Sequence, residues 1–155
     1  MIRNGGQQDV PFLRAMLRHA YHWHVNRLDD SEIPISRYVE GWGRPGDTAV
    51  VALEGGHPIG AAWFRTFPPE APGWGFVDEQ TPELTIAVVP ARREHGIGKQ
   101  LLEELAARAR DAGHSRLSLS VQRESPAVGF YERHGFTVHD ERDDAFTMVA
   151  DLDAG

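Results

Sequence analysis

From Glu83 to Val89 the chain reads ELTIAVV, apolar almost without a break after its first residue. A half-buried strand alternates in polarity, whereas an unbroken apolar run of this length suits a central strand covered on both faces. Pro90 has no amide hydrogen to donate and ends the run. Beyond a loop bearing Gly96 and Gly98, the residues Ile97, Leu101, Leu105 and Ala109 recur at helical spacing, and Leu102 and Ala106 widen the stripe. Gly113 follows where a left-handed helix cap would sit. Arg116 to Val121 then alternates, with Leu117, Leu119 and Val121 on one face. A strand, a crossover helix and a second strand predict a right-handed parallel unit.

The flanking segments extend a sheet on either side of that unit. Asp9 to Trp23 carries Val10, Leu13, Leu17 and Ala20 on one face and predicts a helix, with Asp9 as N-cap and Pro11 in the first turn. A second helix is expected from Ile35 to Trp42, ending near Gly41 and Gly43. Thr48–Leu53 and Pro58–Phe67 predict strands joined around Gly55-Gly56, a hairpin signal. Phe67 to Pro82 holds four prolines, two glycines and Trp74, too long for a simple turn and of the kind that carries function. A short helix from Pro126 to His134 precedes Gly135, and Phe136–His139 and Ala145–Leu152 read as closing strands. The expected fold class is α/β with a mixed, mostly antiparallel sheet and helices on both faces.

With 155 residues the chain suits one domain, residues 1–155. No stretch approaches the ~20 apolar residues needed to span a bilayer, so no membrane partner is expected. The start, Met-Ile-Arg-Asn-Gly-Gly, lacks a secretory core. The absence of cysteine excludes disulfides, thiolate metal sites and a cysteine nucleophile, and fits a cytoplasmic protein. A net charge of −7 argues against nucleic-acid binding and biases encounter toward cationic substrates such as amines. Lys99 is the only lysine among many arginines, as expected of a GC-rich bacterial genome.

The segment Val89-Pro-Ala-Arg-Arg-Glu-His-Gly-Ile-Gly-Lys99 carries the chemistry. Glycines at 96 and 98 let the chain curl with its N–H groups inward, and the helix start adds unpaired donors and about half a positive charge. Such a site takes a diphosphate. A Walker A loop fails here, because Arg93 stands where the first glycine belongs and Gln100 where the hydroxyl belongs. A dinucleotide fingerprint fails at Leu101, where a third glycine is required. Arg93-Glu-His-Gly96-Ile-Gly98 instead resembles the pyrophosphate loop of the GNAT acyltransferases, Gln/Arg-x-x-Gly-x-Gly/Ala. Ser125-Pro-Ala-Val-Gly-Phe130-Tyr131-Glu-Arg-His-Gly135-Phe136 is similar to that family's second signature. The resemblance covers Glu83 to Val138.

The resemblance implies a sheet of six to seven strands with a splayed fourth and fifth pair, and acetyl-CoA as co-substrate. Main-chain groups of Val88 and Val89 would pair with the pantetheine arm. The amides of Arg93, Glu94, His95, Gly96, Ile97, Gly98 and Lys99 would hold the pyrophosphate, with Ser125 and Phe130 also against the cofactor. Tyr131 matches the tyrosine that protonates the departing thiolate. Glu83 stands where many members carry the carboxylate that deprotonates the amine through water, with Asp78 and Glu79 as rivals. These residue types suit the reaction: an alkylamine with a pKa of about 10.4 is mostly ammonium near neutral pH and must lose a proton before it attacks a thioester. The tetrahedral intermediate needs an oxyanion donor, which a backbone N–H near Val88 would supply.

Two positions depart from the pattern: Ser125 replaces an asparagine, and Glu94 and His95 replace basic or glycine residues, leaving less positive charge at the phosphates. Trp74 and Phe76 are candidates for the acceptor pocket. His19, His22 and His24 do not complete a metal site, so no metal is expected. The acceptor reads as a primary amine of a small molecule, with a protein amine or a non-catalytic acyl-CoA-binding role as alternatives. The resemblance admits a homodimer.

Overall fold

The computed structural model of the chain describes residues 1–20, 35–92, 96–142 and 144–152. Seven strands among the described residues form one sheet: β1 (Ile2–Asn4), β2 (Thr48–Glu54), β3 (His57–Arg65), β4 (Glu83–Val88), β5 (Arg116–Gln122), β6 (Phe136–Arg142) and β7 (Ala145–Asp151). Their spatial order is β1-β2-β3-β4-β5-β7-β6. Every pairing is antiparallel except β4 with β5. The mixed α/β fold expected from the sequence is therefore present, with the parallel contact at the predicted place.

Three helices among the described residues and the sheet make two cores. On one face α2 (Ile97–Asp111) lays Leu101, Leu102, Leu105 and Ala109 against Val50, Phe64, Leu84, Leu117 and Leu119. The short α3 (Ala127–Arg133) adds Tyr131 to this core. On the other face α1 (Val10–Ala20) packs Leu13, Met16 and Leu17 with Val51, Ala61 and Trp63. At about 2 kcal/mol for each large aliphatic side chain removed from water, these clusters are ample to hold the layers. Gly113 ends α2 at φ +91°. Its amide donates to the Arg110 carbonyl (2.9 Å) and the His114 amide to that of Ala109 (3.0 Å). The left-handed cap read from the sequence is thus formed. Gly55 and Gly56 take φ +58° and +82° between Glu54 and His57, as a two-residue hairpin requires.

Two local readings are corrected. Asp9 does not cap α1; its carboxylate receives the Gly6 amide (2.9 Å) and both guanidinium nitrogens of Arg3 (2.8 Å each), tying the first strand to the helix. The expected helix from Ile35 to Trp42 is a single 3₁₀ turn, Ile35–Tyr38, because Gly41 and Gly43 follow with φ +66° and +111°. The opening strand that the element order called for is present as β1, three residues long. The expected continuation of α1 from Tyr21 to Trp23 lies outside the described residues.

A buried ion pair clamps that 3₁₀ turn to the sheet. Arg65, at the end of β3, is 1% exposed. It grips Asp47 through Nε–Oδ1 (3.0 Å) and Nη2–Oδ2 (2.6 Å). Its Nη1 donates to the carbonyls of Arg37 (3.1 Å) and Glu40 (2.8 Å), and Trp42 stacks on the guanidinium. Removing one member of such a pair strands a charge in low dielectric and typically costs several kcal/mol. Asp47→Ala is expected to lower the urea-unfolding free energy by about 3 kcal/mol; a loss under about 1 kcal/mol would contradict the clamp.

Candidate active site

The site exists because β4 and β5 separate. They are in register at one pair, Glu83 with Ser118, where the Ser118 amide donates to the Pro82 carbonyl (3.0 Å). Beyond it the ladder stops. The Val89 amide donates to the Ile59 carbonyl (2.8 Å). In the alternating antiparallel pattern, residues 83, 85, 87 and 89 therefore turn their main-chain groups to β3, and Leu84, Ile86 and Val88 turn theirs toward β5. A cleft of about 1020 Å³ fills the gap, bordered by Ile86, Val88, Ser120, Gln122, Ser125 and Tyr131 among others.

The start of α2 opens onto the same cleft through Gly96, Gly98 and Lys99. Gly96 holds φ +78°, a conformation that costs other residues about 1 kcal/mol or more. The first helical bond runs from the Gln100 amide to the Gly96 carbonyl (3.2 Å). The amides of Ile97, Gly98 and Lys99 have no partner among the described residues. A side chain at Gly98 would meet only Phe130, at 3.8 Å, so the turn is open on its cleft side. Orphan amides, the helix dipole and a small-residue approach together fit a diphosphate. The residues present thus suit the CoA group that the motif implied. Arg93, Glu94 and His95 lie outside the described residues. Arg92 borders the cleft, but its guanidinium is held by Glu54 (2.7 to 3.0 Å). Lys99, Arg133 and His134 also border the cleft.

Ser125, Phe130 and Tyr131 reach the cleft from the opposite wall. The Ser125 hydroxyl accepts the Ala127 amide (3.1 Å), which starts α3 and leaves the hydroxyl proton available to donate. Phe130 meets Tyr131 edge-on (5.3 Å) and His134 at a tilt (4.6 Å). Tyr131 is 8% exposed and packs on Phe136 (5.7 Å). Burial pushes its phenol well above the usual tyrosine range, so the hydroxyl stays protonated near neutral pH. That hydroxyl has no described protein partner.

Two expectations for this region are corrected. Val89 presents nothing to the cleft, because its amide is taken by Ile59 and its carbonyl accepts from Arg92 (2.9 Å); adjacent strand residues cannot face the same neighbour. Trp74 and Phe76 do not border the cleft. They pack into the α1-side core, with Trp74 stacked on Tyr38 at 5.6 Å. Sequence reading missed Tyr38, which no motif marks. It also missed Ser118 and Ser120, whose signal was present as hydroxyls on the second face of a strand read only for its leucines. His19 borders the cleft, His22 and His24 lie outside the described residues, and no group of three metal-ligating side chains occurs among the described residues.

Glu83 sits one layer behind the cleft, 1% exposed. Its Oε2 accepts the Tyr38 hydroxyl and the Gly75 amide (3.0 Å), and the Tyr38 hydroxyl accepts the Trp74 amide (2.7 Å). A Cβ on Gly73 would come within 2.3 Å of Glu83 Oε1, and one on Gly75 within 2.6 Å of the Leu119 main chain. The turn from Gly73 to Gly75 is thus a strap laid directly on β4 and β5. The rival carboxylate Asp78 is paired with Arg116 (2.7 Å), and Glu79 is exposed outside the cleft. Burial, opposed by the bonds from Tyr38 and Gly75, pushes the Glu83 carboxyl from 4.5 up to about 7. Between those values the folded chain keeps a proton that the unfolded chain has released, so stability falls as pH rises through this window. Glu83→Gln keeps an acceptor for both bonds and removes the titration. Relative to wild type, its urea-unfolding free energy should therefore gain about 2–3 kcal/mol between pH ~5 and ~8; a pH-independent difference would contradict the buried titration.

With the geometry in hand, comparison with known proteins is direct. An N-acetyltransferase of Bacillus subtilis (strain 168) named YjcF, itself uncharacterized, is 30% identical over 94 residues, 61% of this chain and 59% of that protein. The chain thus spans about three fifths of the length of that curated relative. Among solved structures, yncA of Salmonella typhimurium, determined with its cofactor acetyl-CoA, superposes with a TM-score of 0.74 at 22% identity, covering 98% of this chain and 93% of its own. A ribosomal-protein-alanine N-acetyltransferase of Brucella melitensis gives 0.70 at 23% identity, covering 97% and 99%. Among the described residues no helix is long and apolar enough to cross a membrane. The acetyltransferase (GNAT) family matches residues 11–136, over which both the phosphate loop and the Tyr131 segment fall, and this chain belongs to that family.

Proposed function

We propose that this protein is an N-acetyltransferase that moves an acetyl group from acetyl-CoA directly to a primary amine of a small molecule. The observation that carries the reading is the Tyr131 hydroxyl, kept protonated by burial and lacking a described protein partner, in the same cleft as the orphan amides of α2. Acetyl-CoA supplies an activated thioester. The amides of Ile97, Gly98 and Lys99 hold its diphosphate, and Ile86 and Val88 line the gap for its pantetheine arm. Tyr131 carries the proton for the departing sulfur. Glu83, with its carboxyl near pKa 7, serves as the base that takes a proton from the ammonium by way of water. No covalent enzyme intermediate is needed, in keeping with a chain without cysteine.

The strap supports a small acceptor. Gly73 to Gly75 lies against Glu83 and Leu119, and the Arg37 guanidinium holds the Pro72 carbonyl (2.6 Å), so the loop is folded down on the sheet, an arrangement that favours a small acceptor. A thiol-release assay with acetyl-CoA across polyamines, aminoglycosides and amino acids, beside lysine and N-terminal peptides, tests the assignment. Turnover of a small amine is expected. Turnover confined to peptides would overturn the acceptor class, and CoA binding with no turnover on any amine would favour a binding module. Tyr131→Phe is expected to lower kcat about 100-fold with little change in the KM for acetyl-CoA; an unchanged kcat would remove Tyr131 from the acid role.

A further inference from the structure

At the floor of the gap two polar atoms are buried without a hydrogen-bond partner among the described residues, Oε1 of Glu83 and Oγ of Ser118. They belong to the one registered pair between β4 and β5. Registered residues of parallel strands project to the same face, from backbones about 4.8 Å apart. Two hydrogen bonds of about 2.8 Å through one water span such a separation. Ser118 is 0% exposed and Glu83 1%, so bulk solvent reaches neither. A buried polar atom left bare costs about 1–3 kcal/mol, and two neighbouring ones on one face are the setting in which buried water is found. Two residues further along the same faces, Thr85 on β4 and Ser120 on β5 both border the cleft. Hydroxyl side chains therefore run along the parted strands from the cleft to the carboxyl.

We infer that Ser118 Oγ and Glu83 Oε1 hold one buried water, and that this water with the Ser120 hydroxyl forms the proton path from the acceptor amine to Glu83, which makes Ser118 a positioning residue. The inference rests on Glu83 being the base of the proposed reaction. In the step, the N–H bond of the ammonium breaks and its electron pair stays on nitrogen. The proton passes along the hydroxyl and water, and Glu83 Oε1 gains an O–H bond; the carboxyl later returns the proton to solvent by the same path. Other titratable or charged groups described on this side of the sheet are held by their own partners, save His19, which borders the cleft where the path starts. Tyr38 donates to Oε2, Arg65 is paired with Asp47, Arg37 holds Pro72, and Arg116 is paired with Asp78.

Ser118→Ala tests the path, with Glu83→Gln as reference. The carboxylic C=O infrared band of the ligand-free protein, assigned by its loss in Glu83→Gln, reports Glu83 titration without any turnover. Removing the hydroxyl that anchors the water withdraws a donor from the carboxylate, so the midpoint is expected to rise by about one pH unit in Ser118→Ala. The acidic limb of the pH profile of kcat/KM should rise with it, and the rate at pH ~6 should fall about 10-fold. An unmoved midpoint and limb in Ser118→Ala, with the limb erased by Glu83→Gln, would overturn the Ser118 path while leaving the base in place. If Glu83→Gln leaves both turnover and limb intact, the base reading itself fails and the path fails with it. Ser118→Thr retains a hydroxyl and should keep the wild-type midpoint; a rise matching that of alanine would also overturn the inference.

Discussion

The proposed site depends on two strands that cease to bond. β4 and β5 are in register at Glu83 and Ser118 alone, and past that pair the strands draw apart, so that the main-chain groups of Ile86 turn toward a gap. A sheet interior with unbonded amides is costly, since buried main-chain groups need partners. The fold tolerates the gap because the other edges of the two strands are fully laddered, β4 to β3 over six registered pairs and β5 to β7 over seven. The splay is therefore a rigid slot, with α2 delivering its unpaired N-terminal amides at one end and α3 closing the side with Phe130 and Tyr131.

The two faces of the slot have different chemistry. On the α2 and α3 side the strands bury Leu84, Leu117, Leu119 and Val121 in an apolar core. On the α1 side the same strands carry Glu83, Thr85 and Ser118, buried polar residues lying beneath the strap from Gly73 to Gly75. Tyr38 joins these parts, since its hydroxyl bonds both Glu83 and the strap. The Arg65–Asp47 clamp holds the turn on which Tyr38 sits, through the Arg37 and Glu40 carbonyls. An ion pair whose arginine stands in register with Glu83 thus helps set the position of the carboxyl.

The framework was legible in the sequence where periodicity and turn chemistry agree. The uninterrupted run from Glu83, the leucine stripe of α2 and the glycines at 55, 56 and 113 each have a local physical cause, and each formed as expected. The glycine at the start of α2 was legible for the same reason, since Gly96 takes a positive φ. The misreadings arose where a side chain's partner is remote in sequence. Asp9 looks like a cap until Arg3 is seen to hold it, and Trp74 looks like pocket lining until Tyr38, 36 residues away, is seen stacked beneath it. The reading of Val89 failed through parity, since only the pairing partner decides which way a strand amide points. Ser118 carried a visible signal, a hydroxyl within an alternating strand, whose meaning depended on what stood opposite it.

Amide-resolved NMR during titration with CoA addresses the central claim most directly, because it reads each donor separately. The account predicts saturable shifts concentrated at Ile97, Gly98 and Lys99 and along Ile86 and Val88, with the Val89 amide, committed to Ile59, far less affected. Shifts confined to other parts of the surface, or none at saturating CoA, would contradict the assignment of the parted strands and the α2 start as the cofactor slot.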